Sequence, residues 1–261
     1  MSAPGDLAAT HLHRATRLTS LDWLQGREAL IAADLADLVA RNGHAAETMS
    51  ATGAMVTVQL RGAHGAWSRH VWSRREGARV IAEMVVEDGD ARLAALGIDP
   101  IGETARLAAR HRPTEPFGEL HAGTGQLAAS PHAVLPPDFP EAAGPLAHAL
   151  HRLWNGGQYT DAMALWHPAV RWSGAGNAVG DRTALHDWIM RWRARFADAV
   201  ILFETAAVGD DRIAVLWRLH GTTAGRRIRL LGSTLVTVTD GLIVADETLL
   251  DPVAARVQGV G

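Results

Sequence analysis

The sequence contains neither cysteine nor lysine, and each absence removes a class of chemistry. Without cysteine there are no disulfides, no thiolate nucleophile and no cysteine-ligated zinc. All 25 basic residues are arginine, so no lysine can form a Schiff base with a carbonyl substrate or with pyridoxal phosphate. These absences exclude several enzyme classes before any motif is considered.

The sequence also has a small net charge and no long apolar run. Charged residues make up 20% of the chain, and the formal net charge of −3 gives no basic patch for nucleic acid. No apolar run is long enough to span a bilayer, and residues 1–18 lack the apolar core of a signal peptide. We therefore expect a cytoplasmic protein that binds neither nucleic acid nor membranes, with 261 residues forming one large domain or two small ones.

Three pairs of segments are similar to one another and occur in the same order. Residues 26–42 and 180–196 are both helical patterns, and 47–62 and 204–221 both read as two strands around a glycine turn. The third pair reads Gly-x-x-Val-x-x-Glu-x-x-x-acid, which aligns Glu83 with Glu247 and Glu87 with Asp251. We interpret this as a diverged tandem duplication in which the first copy lacks the opening helices of the second.

The segment between the two copies is rich in proline, glycine and alanine, which is typical of a linker. The predicted division is a partial first domain at 1–98, a linker at 99–144 and a complete second domain at 145–261. In the second domain, helical patterns precede four strand patterns, and Leu185, Trp188, Ile189, Trp192 and Phe196 form one apolar helix face. This order predicts an α+β fold with a curved sheet wrapped around a long helix.

Four stretches of the second domain carry a family resemblance. They are "LWNGGQYTDAMALWHPAVRW", "DRTALHDWIMRW", "GDDRIAVLWRLHGTTAG" and "TDGLIVADETLLD". Together they resemble the SnoaL-like group of the nuclear transport factor 2 superfamily. The resemblance implies two cone-shaped α+β barrels, each a curved antiparallel sheet wrapped on helices, with the first truncated and an apolar pocket inside. Members include polyketide cyclases, steroid isomerases, dehydratases and epoxide hydrolases, so the fold alone does not give the reaction.

The catalytic pairs of these relatives are incomplete here. The resemblance implies a catalytic histidine two residues after the glycine that ends a strand of the type "RLHG" (residues 218–221 here). It also implies an aspartate on the strand that follows. The second copy has Thr223 and Ser233 at these places, whereas the first copy has His64 but no following aspartate. The tyrosine and aspartate of ketosteroid isomerases are also missing, because the only tyrosine, Tyr159, lies elsewhere.

The remaining candidates for acid–base chemistry are carboxylates on the last strand. Strand alternation places Glu247 and Asp251 on one face, and relatives commonly carry a pocket-lining aromatic at the position of Glu247. A carboxyl group among tryptophans would have a raised pKa and could act as acid or base near neutrality. The alternative is a solvated strand, which the apolar opposite face at residues 80–86 favours for Glu83 and Glu87.

The predicted pocket lining combines apolar and polar side chains from the second copy. Arg229 is either an anchor for an acidic ligand or an exposed residue. The full predicted set is Trp172, Trp188, Trp192, Trp217, Leu219, Thr223, Arg229 and Ser233.

Two classes of function remain open. The first is a non-catalytic module that holds a small apolar molecule, and the second is a cyclase, isomerase or dehydratase that uses Glu247 or His64 for proton transfer. Neither function requires a cofactor. Two pairs of closely spaced histidines, His11 with His13 and His148 with His151, lack a third ligand nearby, so no metal site is expected. Because relatives dimerise through their sheets, we expect the two copies to pack as an intramolecular pseudo-dimer, with homodimerisation as an alternative.

Overall fold

The computed structural model describes two sheets and the helices around them. The described residues are 16–19, 45–52, 55–61, 67–76, 79–109, 130, 132–156, 159–174, 178–196 and 198–260. The predicted helix at 26–42 and the candidate His64 lie outside these residues.

The first sheet has five strands in the order β1-β5-β4-β3-β2. β1 runs parallel to β5, and the other neighbours are antiparallel. The two strands predicted within residues 47–62 are confirmed as β2 and β3. The strands are β1 (Thr16–Thr19), β2 (Ala45–Thr52), β3 (Met55–Arg61), β4 (Ser68–Glu76) and β5 (Arg79–Glu87).

Two helices follow β5, and the second lies in the predicted linker. Helix α1 (Gly89–Ala95) begins after Asp88, whose side chain accepts from a backbone N–H of the first turn. Helix α2 (Pro100–Ala108) begins after Asp99, which caps it in the same way. Helix α2 therefore lies within the segment predicted as a linker at 99–144, because an aspartate followed by proline is a local helix start that average composition hides.

In the second half, two helices and a π-helical turn precede the strands in the sequence, and a third helix lies between the second and third strands. The predicted long amphipathic helix is confirmed as α5, which ends three residues earlier than its apolar stripe. The turn after α3 is a π-helix, a rare form that is frequent at functional sites. These elements are α3 (Gly144–His151), the π-helical turn (Arg152–Gly156), α4 (Tyr159–Met163) and α5 (Arg182–Arg193).

The second sheet has six strands in the order β7-β6-β11-β10-β9-β8. It is open and mixed rather than a closed antiparallel barrel, because β6 runs parallel to β11 and the order ends at β7 and β8. The chain ends in a short helix, α6 (Pro252–Val257). The strands are β6 (Trp166–Gly174), β7 (Ala178–Gly180), β8 (Val200–Val208), β9 (Arg212–Thr223), β10 (Arg226–Thr239) and β11 (Leu242–Leu250).

The last strands of the two sheets, β5 and β11, share two features. These features align the two strands differently from the sequence analysis. Each last strand has a β-bulge, at Ile81 in β5 and at Val244 in β11, where one residue has no partner on the preceding strand. Each last strand also leads into an aspartate that caps the next helix. Counting from the bulge or from the cap aligns Glu83 with Asp246, not with Glu247 as predicted. Both connections before these strands have two residues, but the glycine used for the sequence alignment is the first of them at Gly77 and the second at Gly241.

One face of the second sheet packs against the first sheet. Trp72 of β4 is fully buried there, and its Nε1 donates to Oγ of Ser233 on β10 at 3.0 Å. The apolar residues of this contact, which we call the sheet–sheet interface, are Trp72, Met84 and Val86 from the first sheet and Ala207, Ala214, Leu216, Leu231, Leu235 and Leu249 from the second.

The other face of the second sheet packs against α3, the π-helical turn and α5. The space between them, which we call the aromatic interior, is filled largely by indole rings. Its tryptophans are Trp154, Trp166, Trp172, Trp188, Trp192 and Trp217. Within the described residues, no helix is long and apolar enough to cross a membrane.

Gly232 allows Trp217 to lie flat on β10. A Cβ at position 232 would overlap three carbons of the Trp217 ring. That ring cannot move freely, because it packs on Trp154 with ring centroids 5.5 Å apart and donates its N–H to Thr234.

We expect Gly232→Ala to lower the free energy of unfolding by about 1–3 kcal/mol, the usual cost of overpacking a core. Urea denaturation measures this. Gly144→Ala is the matched control, because a Cβ at the first residue of α3 would meet no atom within 4 Å. Equal stability of both variants would contradict the packing account.

Candidate functional site

The carboxylate of Asp246 lies inside the aromatic interior and is 3% exposed. Asp246 sits on β11, next to the indole-bearing strand β6. Trp166 Nε1 donates to its Oδ2 at 2.7 Å, and the Thr248 hydroxyl donates to its Oδ1 at 2.7 Å. Each carboxylate oxygen therefore has a donor from the protein.

A chain of hydrogen bonds leads from Trp217 to the same carboxylate. The Trp217 N–H donates to the Thr234 hydroxyl oxygen at 3.1 Å, and the hydroxyls of Thr234 and Thr248 are 3.1 Å apart. An indole N–H can only donate and an ionised carboxylate can only accept, so these two ends orient both hydroxyls. Thr234 then donates to Thr248, and Thr248 donates to Asp246.

Burial raises the pKa of Asp246 to about 6, although the hydrogen bonds from Thr248 and Trp166 oppose the shift and the neighbouring charge of Glu247 adds to it. A carboxyl group that titrates near pH 6 can exchange a proton with a bound molecule close to neutrality. The raised pKa that the sequence predicts for Glu247 therefore belongs to Asp246.

Two indole N–H groups in the aromatic interior have no acceptor among the described residues. They belong to Trp154, which is fully buried, and Trp172, which is 3% exposed. Both rings pack against Trp188, with centroids 6.2 Å and 5.6 Å from it. Trp172 is also the register partner of Asp246 across β6 and β11, so its side chain emerges beside that carboxylate.

The predicted inward orientation of Glu247 is wrong. Its carboxylate lies at the sheet–sheet interface, where Oε1 is 3.8 Å from Nε2 of His70. The bulge at Val244 is the reason, because it reverses the alternation between Ile243, which packs in the aromatic interior, and the residues that follow. Strand parity counted from Ile243 therefore fails at Glu247.

Ser233 also lies at the sheet–sheet interface rather than in the predicted pocket. Its Oγ accepts from Trp72 and is 2.9 Å from His70 Nδ1. Ser233 and His70 are both fully buried. The Ser233, His70 and Glu247 side chains thus join the two sheets.

Thr223 and Arg229 lie away from Asp246. Thr223 is half-buried at the end of β9. Alternation from Leu231 places Arg229 on the opposite face of β10 from the aromatic interior. Burial lowers the pKa of Arg229 to about 9, with Arg218 adding to the shift and Glu204 opposing it. Neither residue lines the site as predicted.

The other predicted carboxylates have structural roles. Asp251 is buried, and its side chain accepts from the backbone N–H groups of Val253 and Ala254 at the start of α6. Glu87 is buried as well, so its predicted solvated state is wrong. Although desolvation acts to raise it, the pKa of Glu87 is lowered by the paired guanidinium groups of Arg69 and Arg92.

Five predicted residues pack in the aromatic interior, and one of them, Trp172, is the register partner of Asp246; the five are Trp172, Trp188, Trp192, Trp217 and Leu219. Sequence reasoning missed Asp246, Trp154, Thr234 and Thr248. Aligning the copies from their capping aspartates would have found Asp246. Among the described residues, no group of three or more His, Asp or Glu side chains could hold a metal ion.

The raised pKa of Asp246 makes stability depend on pH. An aspartate titrates near 3.9 when unfolded and near 6 here, so the folded state binds more protons between these values. Its contribution to stability is full below about pH 4 and decreases until about pH 6, because above that the fold holds a buried charge.

Asp246→Asn removes this dependence. We expect the stability of the variant relative to the native protein to rise by roughly 2–3 kcal/mol from pH 4.5 to pH 7.5. Denaturation at both pH values measures the change, and Glu247→Gln is the control at the adjacent position. A constant difference across pH would show that Asp246 has an ordinary titration.

Comparison with known proteins gives a family match in the second half of the chain. The SnoaL-like domain family matches residues 147–245. No curated protein matches the chain. Among solved structures, IdmH from Streptomyces antibioticus, a proposed polyketide cyclase, is 19% identical, with 46% of this chain and 98% of IdmH covered and a TM-score of 0.41.

Two further structures are similar over the same extent. A proposed isomerase from Rhodopseudomonas palustris is 20% identical, covering 47% of this chain and 98% of its own, with a TM-score of 0.39. TsrD from Streptomyces laurentii is 17% identical, covering 48% of this chain and 100% of its own, with a TM-score of 0.41. The family match over residues 147–245 agrees with the α+β architecture of the second half, and this part of the chain is similar to SnoaL-like domains.

Proposed function

We propose that the second half binds a small, flat, largely apolar molecule that carries a hydrogen-bond acceptor. The observation that supports this most directly is the pair of buried indole N–H groups of Trp154 and Trp172, which have no acceptor among the described residues. A buried donor without a partner costs about 1–3 kcal/mol. A ligand carbonyl oxygen at these groups would recover that free energy.

The aromatic interior also suits the body of such a ligand. Trp154, Trp172 and Trp188 offer flat apolar surfaces, and tryptophan rings favour stacked and edge-to-face contacts with other rings. In this proposal the first half is a structural partner: its Trp72 and His70 cover the opposite face of the second sheet.

A bicyclic pair of probes tests the proposal. α-Tetralone and tetralin have nearly the same shape, but only the ketone has an acceptor. We expect the native protein to bind the ketone more tightly, as measured by titration calorimetry. Equal affinity for both probes would contradict a role for the indole donors.

Replacing single tryptophans by phenylalanine locates the donors. Trp154→Phe and Trp172→Phe should each reduce the preference for ketone over hydrocarbon by roughly 3- to 10-fold, because one neutral hydrogen bond contributes about 0.5–1.5 kcal/mol. Trp217→Phe is the control, since that N–H is already bonded to Thr234. A loss of preference in the control alone would refute the assignment.

Proton transfer by Asp246 is the second candidate function, and its raised pKa of about 6 favours it. The carboxylate would remove a proton from the carbon beside a ligand carbonyl while an indole N–H stabilises the enolate oxygen. The enolate would then take a proton back, so the reaction needs no cofactor. This assigns an isomerase- or cyclase-type reaction to the SnoaL-like domain.

Exchange of the α-hydrogens of α-tetralone in D₂O, followed by NMR, tests this second function. We expect the protein to accelerate exchange, with a rate that rises through about pH 6 as Asp246 ionises. Asp246→Asn should abolish the acceleration, and Glu247→Gln should retain it. Binding of the ketone without exchange would leave the domain as a binding module.

A further inference from the structure

Asn155, beside Trp154 in the π-helical turn, uses both ends of its amide on one residue of β8. Its Oδ1 accepts from the backbone N–H of Ile201 at 2.7 Å, and its Nδ2 donates to the Ile201 carbonyl at 3.1 Å. A backbone N–H can only donate, so the atom that faces it must be the amide oxygen. This fixes which end of the Asn155 amide is nitrogen.

The orientation of Asn155 fixes the protonation of His151. Asn155 Nδ2 lies 2.8 Å from His151 Nδ1. Because the amide nitrogen only donates, Nδ1 must accept and therefore carries no proton. The ring proton is then on Nε2, which donates to the carbonyl of Ser130 at 2.8 Å. The bond from Asn155 Nδ2 to His151 Nδ1 therefore requires neutral His151.

Among the described residues, the hydrogen bonds of His151 go to Asn155 and Ser130, and none goes to a carboxylate. The titratable or charged residues around it on its own helical segment are His148 and Arg152, and His132 lies on the segment that crosses this helix. Residues 200–203 of the adjoining β8 are apolar. All three neighbouring groups are cationic or become so on acidification.

From these contacts we propose that Asn155 is the positioning residue for the Trp154 N–H, and that it holds this position only while His151 is neutral. Protonated His151 would present an N–H to the Asn155 NH₂, donor against donor. Rotating the amide would place the NH₂ against the Ile201 N–H instead, so neither orientation satisfies all the groups. Asn155 must then withdraw, and the π-helical turn that carries Trp154 loses its attachment to β8.

The consequence is that ligand binding weakens when acidification protonates His151. This rests on the proposed binding function, but the position of Trp154 can be measured without ligand. The ¹H–¹⁵N signal of its indole, assigned by its absence in Trp154→Phe, reports the surroundings of that N–H directly.

The His151→Gln variant separates the effect of His151 protonation from other effects of pH. A glutamine offers an oxygen to Asn155 Nδ2 and an N–H to the Ser130 carbonyl, and it does not titrate. Asp246 and His148 still titrate in this variant, although the pKa of His148 is no longer lowered by the charge of His151. The quantity compared is therefore the difference between native protein and variant. We compare the full-length proteins at pH 7.5 and pH 5.5, following the Trp154 signal and the affinity for α-tetralone.

We expect the Trp154 signal to move between the two pH values in the native protein and to move much less in His151→Gln. Tetralone affinity should fall at least about 3-fold more in the native protein, the equivalent of losing a weak hydrogen bond. Asn155→Ala should give the low-pH signal at both pH values. Asn155→Asp should reverse the trend, because a carboxylate favours protonated His151.

The outcomes separate the two proposals. If tetralone does not bind but the Trp154 signal behaves as expected, the binding function fails and the positioning role stands. If native and His151→Gln show the same pH dependence of the Trp154 signal, the positioning role is overturned, whatever the affinity for tetralone.

Discussion

The second sheet is buried on both faces over its central strands, and the rest of the structure depends on this constraint. One face supports the aromatic interior and the other packs against the first sheet. Polar groups on such strands have no access to water, so each needs a partner within the protein. Asp246 and Glu247 are neighbours in sequence, yet each finds its partners on a different face.

This arrangement gives the two halves of the chain different tasks. Position 246 of the second sheet is a carboxylate among indoles, bonded only by neutral donors. In the first sheet, a buried carboxylate at position 87 is held by two arginines. An ion pair of this kind keeps its carboxylate charged, whereas neutral donors and burial leave Asp246 able to gain a proton near neutrality. The carboxyl group of Asp246, whose pKa is raised to about 6, therefore lies in the second half.

Much of the fold was predictable from the sequence, because periodicity records which faces are buried. Strands β2, β3, β5 and β8 to β11, the helix α5 and the clustering of Trp172, Trp188 and Trp217 follow from the sequence pattern, whereas β1, β4 and β7 were not predicted. The orientation of Glu247 did not, since a bulge leaves no mark in a strand-like pattern and shifts all later side chains to the other face. The burial of Ser233 depends on Trp72, which is 161 residues away, and local patterns do not contain such contacts.

Asn155 has a second consequence, which concerns association between molecules. β8 is an outer strand of its sheet, and an outer strand presents unpaired backbone groups to which a strand of another chain can add. The Asn155 amide occupies both groups of Ile201. Gln258 does the same for β10 beyond the end of β11, where its amide bonds both backbone groups of Arg229. Two side-chain amides thus occupy backbone groups of Ile201 and Arg229 to which a strand of another molecule would have to bond in order to extend this sheet.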